Sequence, residues 1–586
     1  MINGSNRKTI GLILENVWTD FAEEFIRNVE SGVRLRKDLD LVIVAGKYDG
    51  FKDENPNHHI HRLVYNSIYQ LSEVGNFDGM IVCLGSMAKI EDEDANRLLF
   101  DKIKHVPMVF AVSEAEEYIT VNYDNEPGIR EAVECLVNVH GFSKFCMMGG
   151  RVDNLDSRRR RKIYEDCLKE YGLDFTDDNY QMTDMSFNCK KEAAELLDRN
   201  PGVQAIFCVN DSVALGLFAV MQERGLEPGK DIMVFGFDNT KMAGRMIPTL
   251  TSIGADDTTL GRRALELLIA LMSGEKVSSE RISTRLYGRE SFPYEMYEYT
   301  RQEMMNVDSA FIYRMFDDCF YRYRYEYIDR ESVNLKRLFW EFISRLLTAL
   351  KNRYISREEF REICELIDIF FENGAMEYTD AKKFLECVDK FQSSIIVSQS
   401  MTNASAGVYF SRIFTRMRED AIIAQSKTII HDGEMLFRSR QSLQDFMIET
   451  MDYDMNDGMD NEERVVSRLK LLGLMNAVLF LFDEPVEYKE GETDIFPEWI
   501  RFRCGIKDGE LFVLPKDRQP CRISEMFRRI EIPPKCQDSV VFPVICRTRI
   551  YGFLVSEINS DISSTGEFIA EQIGRLIENS SSAPTA

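Results

Sequence analysis

Two apolar runs in the chain each stop on side chains that can bind a small polar molecule. Ala205-Ile-Phe-Cys-Val209 is followed by Asn210 and Asp211, and Ile232-Met-Val-Phe235 by Gly236, Phe237 and Asp238. An amide at 210 and a carboxylate at 238 can donate to and accept from neighbouring hydroxyls. The plainer alternative for Asp238 is a turn residue after a strand. Arg158 to Arg161 is an unbroken arginine run that can supply a planar fork of donors, or simply a solvated helix face. His58, His59 and His61 form a histidine cluster. A metal site would need a fourth ligand and tighter spacing, so they are expected to lie exposed in a polar loop over 52–61. The thirteen cysteines include no Cys-x-x-Cys pair, and Cys83, Cys146 and Cys208 fall inside apolar runs, where a thiol packs as a small hydrophobe. No metal or cofactor is expected. With no phosphate-binding Gly-x-x-x-x-Gly-Lys loop, no Gly-x-Ser-x-Gly and no paired-histidine metal motif, neither is catalysis.

The elements that must position these residues alternate. Ile10 to Leu14 reads as a buried strand, Asp20 to about Arg36 as an amphipathic helix, Leu41 to Ala45 as a second strand, and Arg62 to Val74 as a helix leading into Phe77 to Leu84. Met108 to Val112 is a further strand. The pattern then restarts with a helix ending near His140, a strand at Phe145 to Met148, a helix through Tyr164 and Leu168, and the strand–helix–strand stretch from Ala205 to Asp238. It returns through Pro248 to Ile253, a helix from Thr258 to about Met272 and a strand at Thr284 to Tyr287. Alternation of this kind predicts a doubly wound α/β sheet, and two such halves predict two lobes with a cleft at the carboxyl ends of the strands.

At 586 residues the chain should hold three or four domains. A hydrophobic content of 44% and a charged content of 29% are those of a soluble globular protein. The formal net charge of −25 argues against a phosphate-binding surface spread over the chain, and no direct nucleic-acid partner is expected. The run Ile10–Leu14 is too short for a signal peptide, and no run reaches the ~20 residues of a membrane helix. The expected protein is cytoplasmic and does not touch a membrane.

The ordered motifs Phe77-Asp78-Gly79-Met-Ile, Val121 to Gly128, Asn210-Asp211, Gly225 through Pro228 into Gly236-Phe237-Asp238, Pro248-Thr-Leu-Thr251 and Gly288-Arg289-Glu290-Ser291 resemble the effector-binding core of the lactose/galactose repressor (LacI/GalR) family. That family has a type-1 periplasmic-binding-protein-like fold, and the resemblance covers about half the chain. It implies ligand contacts from Trp18, Asp20 and Phe21 after the first strand, from Gly85 and Ser86 in the turn after Leu84, and from Arg160, Asn210 and Asp238 in the second lobe. A sugar-like effector suits this set, with Trp18 or Phe21 offering an apolar face; Trp18 reads equally as a packing aromatic. Arg160 stands four residues before Tyr164, as in the family's Arg-x-x-Gly-Tyr segment, although Ile163 replaces the glycine. Family repressors carry a helix-turn-helix before the core. Here the first core strand begins at Thr9, so the ligand-binding role is expected to carry over and DNA reading is not.

Domain boundaries are expected at 1–293, 294–440 and 441–586. In the middle, Leu335 to Leu350 carries a wide apolar stripe at helical spacing, Ser356 and Glu359 form a capping box, and a long mixed-charge helix runs from Val408 to about Arg438. These stripes suit either a helical core or a dimer seam. The last segment, with a helix at 462–472, strands at 477–482, 500–504, 510–514, 539–545 and 550–557, and a final helix from Ser564, resembles an α+β GAF domain. The expectation is a ligand sensor that signals through helices to this module and dimerises through both. The alternatives are the input half of a diguanylate cyclase whose GGDEF domain is absent, or a transcription regulator acting through a partner.

Overall fold

A computed structural model of the chain describes residues 7–47, 56–83, 103–113, 117–152, 154–255, 258–293, 308–323, 333–352, 354–398, 404–451, 460–489, 492, 494–528 and 538–582. The opening apolar run is strand β1 (Lys8–Leu14). It lies in a parallel sheet with β2 (Leu39–Ala45), β3 (Gly79–Cys83), β4 (Met108–Ala111) and β5 (Ile119–Asp124), in the order β2-β1-β3-β4-β5. Residues of β1 and β2 alternate between two cores, which is why both strands read as unbroken apolar runs. Ile10, Leu12, Leu41 and Ile43 pack on helices Asp20–Arg34 and Leu260–Met272, while Ile13, Val42 and Val44 pack on Tyr65, Ile68 and Leu71.

A second sheet holds β6 (Phe145–Gly149), β7 (Tyr180–Met182), β8 (Ala205–Cys208), β9 (Met233–Phe237) and β10 (Thr251–Ala255), parallel and in the order β7-β6-β8-β9-β10. β11 (Glu280–Tyr287) belongs to both sheets. Its residues Glu280–Ser283 run beside β5, and Thr284–Tyr287 lie antiparallel to β10. The chain thus passes between the lobes after β5, between β10 and helix Leu260–Met272, and within β11. The two-lobed α/β expectation is met, with β11 starting four residues before the strand read from the sequence because its first half pairs in the other lobe.

The histidine expectation is corrected. Residues Pro56–Asn66 form a helix, opened by a proline whose fixed φ suits the first turn, and not a polar loop. His61 on this helix pairs through Nε2 with Glu571 at 2.8 Å.

Helices Ser309–Cys319, Leu335–Asn352, Arg357–Glu372, Ala381–Ser398 and Ala404–Met451 follow. Phe316, Phe320, Phe339, Phe342, Phe370 and Phe384 fill one core between them. The capping box closes as Glu359 N donates to Ser356 Oγ (3.1 Å) and Ser356 N to Glu359 Oε2 (2.8 Å). The last helix is longer than its sequence pattern, running on past Arg438 because Leu443 and Phe446 dock into a different core.

The final segment is an antiparallel sheet of β12 (Ala477–Glu487), β13 (Trp499–Lys507), β14 (Glu510–Phe512), β15 (Pro520–Arg522), β16 (Asp538–Cys546) and β17 (Arg549–Glu557), with β13, β12, β17 and β16 side by side. β16 also pairs in parallel with β2, from Asp538 opposite Leu41 to Val541 opposite Val44. The C-terminal sheet therefore continues the sheet of lobe one. Helix Ser560–Ser582 starts four residues before the Ser564 read from the sequence. Among the described residues no helix is long and apolar enough to cross a membrane.

Candidate ligand site between the lobes

β9 delivers its last residues into a bent loop. Asp238 (φ 94°) and Asn239 (φ 50°) both adopt positive φ, a costly conformation for side chains with a Cβ. The surroundings hold it there. Asp238 N donates to Ile253 O (2.8 Å), Asn239 N to Ser252 Oγ (3.0 Å), and Thr240 N and Oγ1 to Asp211 Oδ2 (2.8 and 3.0 Å). Ser252 Oγ meets the other Asp211 oxygen at 2.6 Å. Burial, with the Asp238 carboxylate nearby, pushes the Asp211 carboxyl up to about 7. Asp211 opens helix Asp211–Glu223, and of the strand-end pair that the sequence shows it is the buried buttress for the loop carrying Asp238.

Arg160 comes from helix Leu155–Glu170, capped by Asn154, whose side chain accepts from Ser157 N. Its guanidinium donates to Asp238 Oδ1 (3.2 Å), Val209 O (2.7 Å) and Asn125 Oδ1 (3.4 Å), and lies 3.5 Å above the centre of the Phe237 ring. Nε, Nη1 and Nη2 thus each have a protein acceptor. Asn210 caps helix Asp211–Glu223 by accepting from Val213 N (2.9 Å), and its amide donates to Met185 O (3.0 Å).

Lobe one supplies the facing wall. Phe21, Glu24, Phe25 and Asn28 of helix Asp20–Arg34, with Thr259 to Gly261, enclose a cavity of about 20 Å³ against Tyr123, Asp238 and Thr240. That is room for about one water. The lobes are closed, and a sugar-sized ligand requires them to part. Burial pushes the Glu24 carboxyl up, against the opposing pull of Arg27, Arg322 and Lys241.

The structure therefore brings Phe21 and Asp238 to one cavity and pairs Arg160 with Asp238, whereas Asn210 serves as a helix cap. Trp18 is 55% exposed and is not among the residues lining the closed cavity. Asp20 begins its helix, but its side chain lies outside the described residues, as do Gly85 and Ser86. Glu24, Asn28, Tyr123 and Thr240 were not singled out from the sequence. The spacing 21, 24, 25, 28 on one helix carried a signal, because a single face there mixes aromatic and hydrogen-bonding side chains.

A larger cavity, about 1070 Å³, opens elsewhere, where lobe one meets the C-terminal sheet beside Lys47, His61, Arg547 and Glu578. Several of its lining side chains already pair with protein groups, Lys47 with Glu567, His61 with Glu571 and Glu578 with Arg549. The interlobe site has the strained loop and converging polar groups, and size alone does not outweigh them.

Residues 136–292 match the periplasmic binding protein-like domain. The chain is 26% identical over 275 residues to catabolite control protein A of Priestia megaterium, covering 46% of this chain and 77% of that protein. It is 26% identical over 271 residues to the HTH-type transcriptional repressor PurR of Vibrio atlanticus (45% and 74% covered), and 24% over 279 residues to the ribose operon repressor of Escherichia coli (47% and 78%). Solved structures that align include a transcriptional regulator CelR–cellobiose complex (23% identity, TM-score 0.40, 49% of this chain and 86% of that one). Another is a lac repressor dimer bound to operator and an anti-inducer (21%, 0.41, 50% and 96%). These relatives are transcriptional regulators and not enzymes. They overturn the expectation of no direct nucleic-acid partner, which rested on net charge and on the position of the first core strand; the relatives include an HTH-type transcriptional repressor and an operon repressor. The chain contains a periplasmic-binding-protein-like domain, matched over residues 136–292, and is similar to transcription regulators over nearly half its length.

Proposed function

We propose that residues 1–293 bind a small, sugar-like effector in the interlobe cleft and that the chain is a ligand-responsive transcription regulator. Asp238 carries this reading: a carboxylate in a strained loop at the end of a parallel strand, paired with Arg160 and facing Glu24 and Asn28 of the other lobe. In the closed cleft Asp238 and Arg160 satisfy each other; with effector bound, Asp238 accepts from its hydroxyls while Arg160 keeps the carboxylate oriented. Phe21 packs on the ligand's apolar face; the family resemblance alone adds Trp18, Asp20, Gly85 and Ser86 as candidate contacts. The binding free energy shifts the open–closed balance only as far as the closed form binds more tightly.

Residues 294–440 act as a helical relay and 441–586 as a GAF-like output module. Supporting the second assignment are the antiparallel order β13-β12-β17-β16 and the helices Asn461–Arg468 and Ser560–Ser582 packed on one face of it. The test is thermal shift of the protein against a panel of sugars and nucleosides. A panel member should raise the melting temperature of the wild type and fail to do so for Asp238→Ala; equal shifts in both refute the site.

A further inference from the structure

The two appended units hang from opposite lobes. On one side, lobe one and the C-terminal sheet share strands and a core. β16 extends the sheet beyond β2. Val29 and Val33 of helix Asp20–Arg34 pack in the same cluster as Phe542 and Ile569. Arg34 Nε meets Asp538 Oδ2 at 2.8 Å, Arg528 Nη2 meets Asp78 Oδ2 at 3.0 Å, and the Phe77 and Phe527 rings stack at 5.6 Å.

On the other side, the helical segment meets lobe two through a network centred on one carboxylate, beside the ion pair Lys382 Nζ–Glu290 Oε1 (3.1 Å) and the Tyr287–Tyr321 ring contact (5.2 Å). Asp380, 4% exposed, accepts from Arg289 Nε (2.7 Å), Tyr321 OH (2.9 Å) and Arg322 Nη1 (3.0 Å). Burial alone would push this carboxyl up, but Arg289 and Arg322 outweigh it and hold it well below the usual carboxylate range. The same two arginines reach the ligand loop. Arg289 Nη2 donates to Asn239 Oδ1 (2.7 Å), its Nη1 to Leu250 O (2.8 Å), and Arg322 Nη2 to Thr240 O (3.3 Å). The network rooted on Asp380 therefore ends on the backbone that presents Asp238.

One helix joins the two sides. Phe410, Ile413, Phe414 and Met417 of helix Ala404–Met451 sit in the helical core, whereas Leu443 and Phe446 sit in the core shared by lobe one and the C-terminal sheet. Between those anchors Ile422, Ile423, Ile429, Ile430 and Phe437 are exposed.

We propose that the protein converts cleft opening and closure into displacement between two bodies, lobe one with the C-terminal module and lobe two with the helical segment. Asp380 is the positioning residue that fastens the second body to the ligand loop, and helix Ala404–Met451 is the tie that feels the displacement. The assignment of a direction to this signal rests on the interlobe cleft being the ligand site. The physical reason is simple. Lobes that rotate about their three crossings carry along whatever is packed on them, so a helix anchored at its two ends to different bodies must bend, slide or release one end. Coupling of this kind is reciprocal, and a change in the helical segment alters the loop as the loop alters the segment.

Amide hydrogen exchange of the full chain across a urea series, without ligand, tests the division. Peptides from β2, β16 and β17 should lose protection along one curve, and peptides from β8, β9 and helix Leu335–Asn352 along a second. Asp380→Asn should detach helix Leu335–Asn352 from the second curve and speed exchange across residues 236–246 at least tenfold, leaving β2 and β16 unchanged. A single merged curve overturns the proposal, as do C-terminal strands that follow lobe two, or an Asp380→Asn variant that leaves 236–246 unaffected. No ligand enters the measurement, so its outcome is independent of whether the cleft binds the panel compounds.

Discussion

Arg160→Met should destabilise lobe two by about 3 kcal/mol, and most of that loss should trace to one partner. The Arg160 side chain is 3% exposed, and the carboxylates it neutralises, Asp238 and Asp156, are 15% and 12% exposed. Breaking a buried ion pair by removing one partner costs about 3–5 kcal/mol, somewhat less where a carboxylate keeps partial contact with water. Leaving Val209 O without its 2.7 Å donor adds about 1 kcal/mol or more. Methionine retains the apolar contact with Phe237 and offsets part of the loss. Asp238→Asn, which keeps a polar group in the loop, should cost about 1–2 kcal/mol. In the double variant the two losses should fall short of additivity by at least about 1 kcal/mol, because the stranded charge is gone. The assay is the opening free energy from hydrogen exchange of peptides in β8 and β9. It reports this lobe directly, whereas Trp18, Trp340 and Trp499 all lie outside it. An Arg160→Met loss below about 0.5 kcal/mol, or additivity within about 0.5 kcal/mol, refutes the paired geometry.

Two further outcomes follow from the same loop. The Asp211 carboxyl is raised in the folded protein to about 7, far above its unfolded value, so the native state binds the extra proton between about pH 4 and 7. This group's contribution to lobe-two stability should therefore be fully present below about pH 4 and be lost as pH rises to about 7, by up to roughly 4 kcal/mol for a shift of that size. Hydrogen exchange in β9 at pH 5 and 8, corrected for intrinsic rate, should show this slope in the wild type and a flatter one in Asp211→Asn; equal slopes contradict it. Gly244→Ala should destabilise by about 1–3 kcal/mol. An added Cβ overlaps the Asp380 carboxylate. The assay is urea unfolding of the helical segment, and a neutral effect would show that Asp380 is not held there.

The lobes were legible in the sequence because most of their strands, such as Lys8–Leu14, Gly79–Cys83 and Ala205–Cys208, are buried on both faces and the helices between repeat every 3.6 residues, signals that local patterning carries. The strand-end polar residues were legible for the same reason. Their division of labour was not: Asn210 and Asp211 stand side by side, and only packing makes one a helix cap and the other a buttress under Thr240. Arg160 could be placed by its spacing to Tyr164, yet nothing local shows that Val209 O, Asn125 and Asp238 share its donors. Asp380 is one acid at the start of an amphipathic helix, with partners 58 to 91 residues away. The β2–β16 pairing joins residues about 500 apart, and an apolar run has no mark that says which edge it will meet. Charge and chain position misled on nucleic acid, since net charge describes a whole surface and says nothing of a partner chosen by one segment.

Effector binding between the lobes is the central property to measure. Isothermal titration of the strongest thermal-shift compound into wild type and Asp238→Ala measures it most directly. A lost hydrogen bond to a charged group, about 1.5–3 kcal/mol, predicts affinity lower by about 10-fold to 100-fold in the variant, with its hydrogen exchange outside lobe two unchanged. Affinity within twofold of wild type, or a panel of sugars and nucleosides with no binder at all, contradicts the site proposed here.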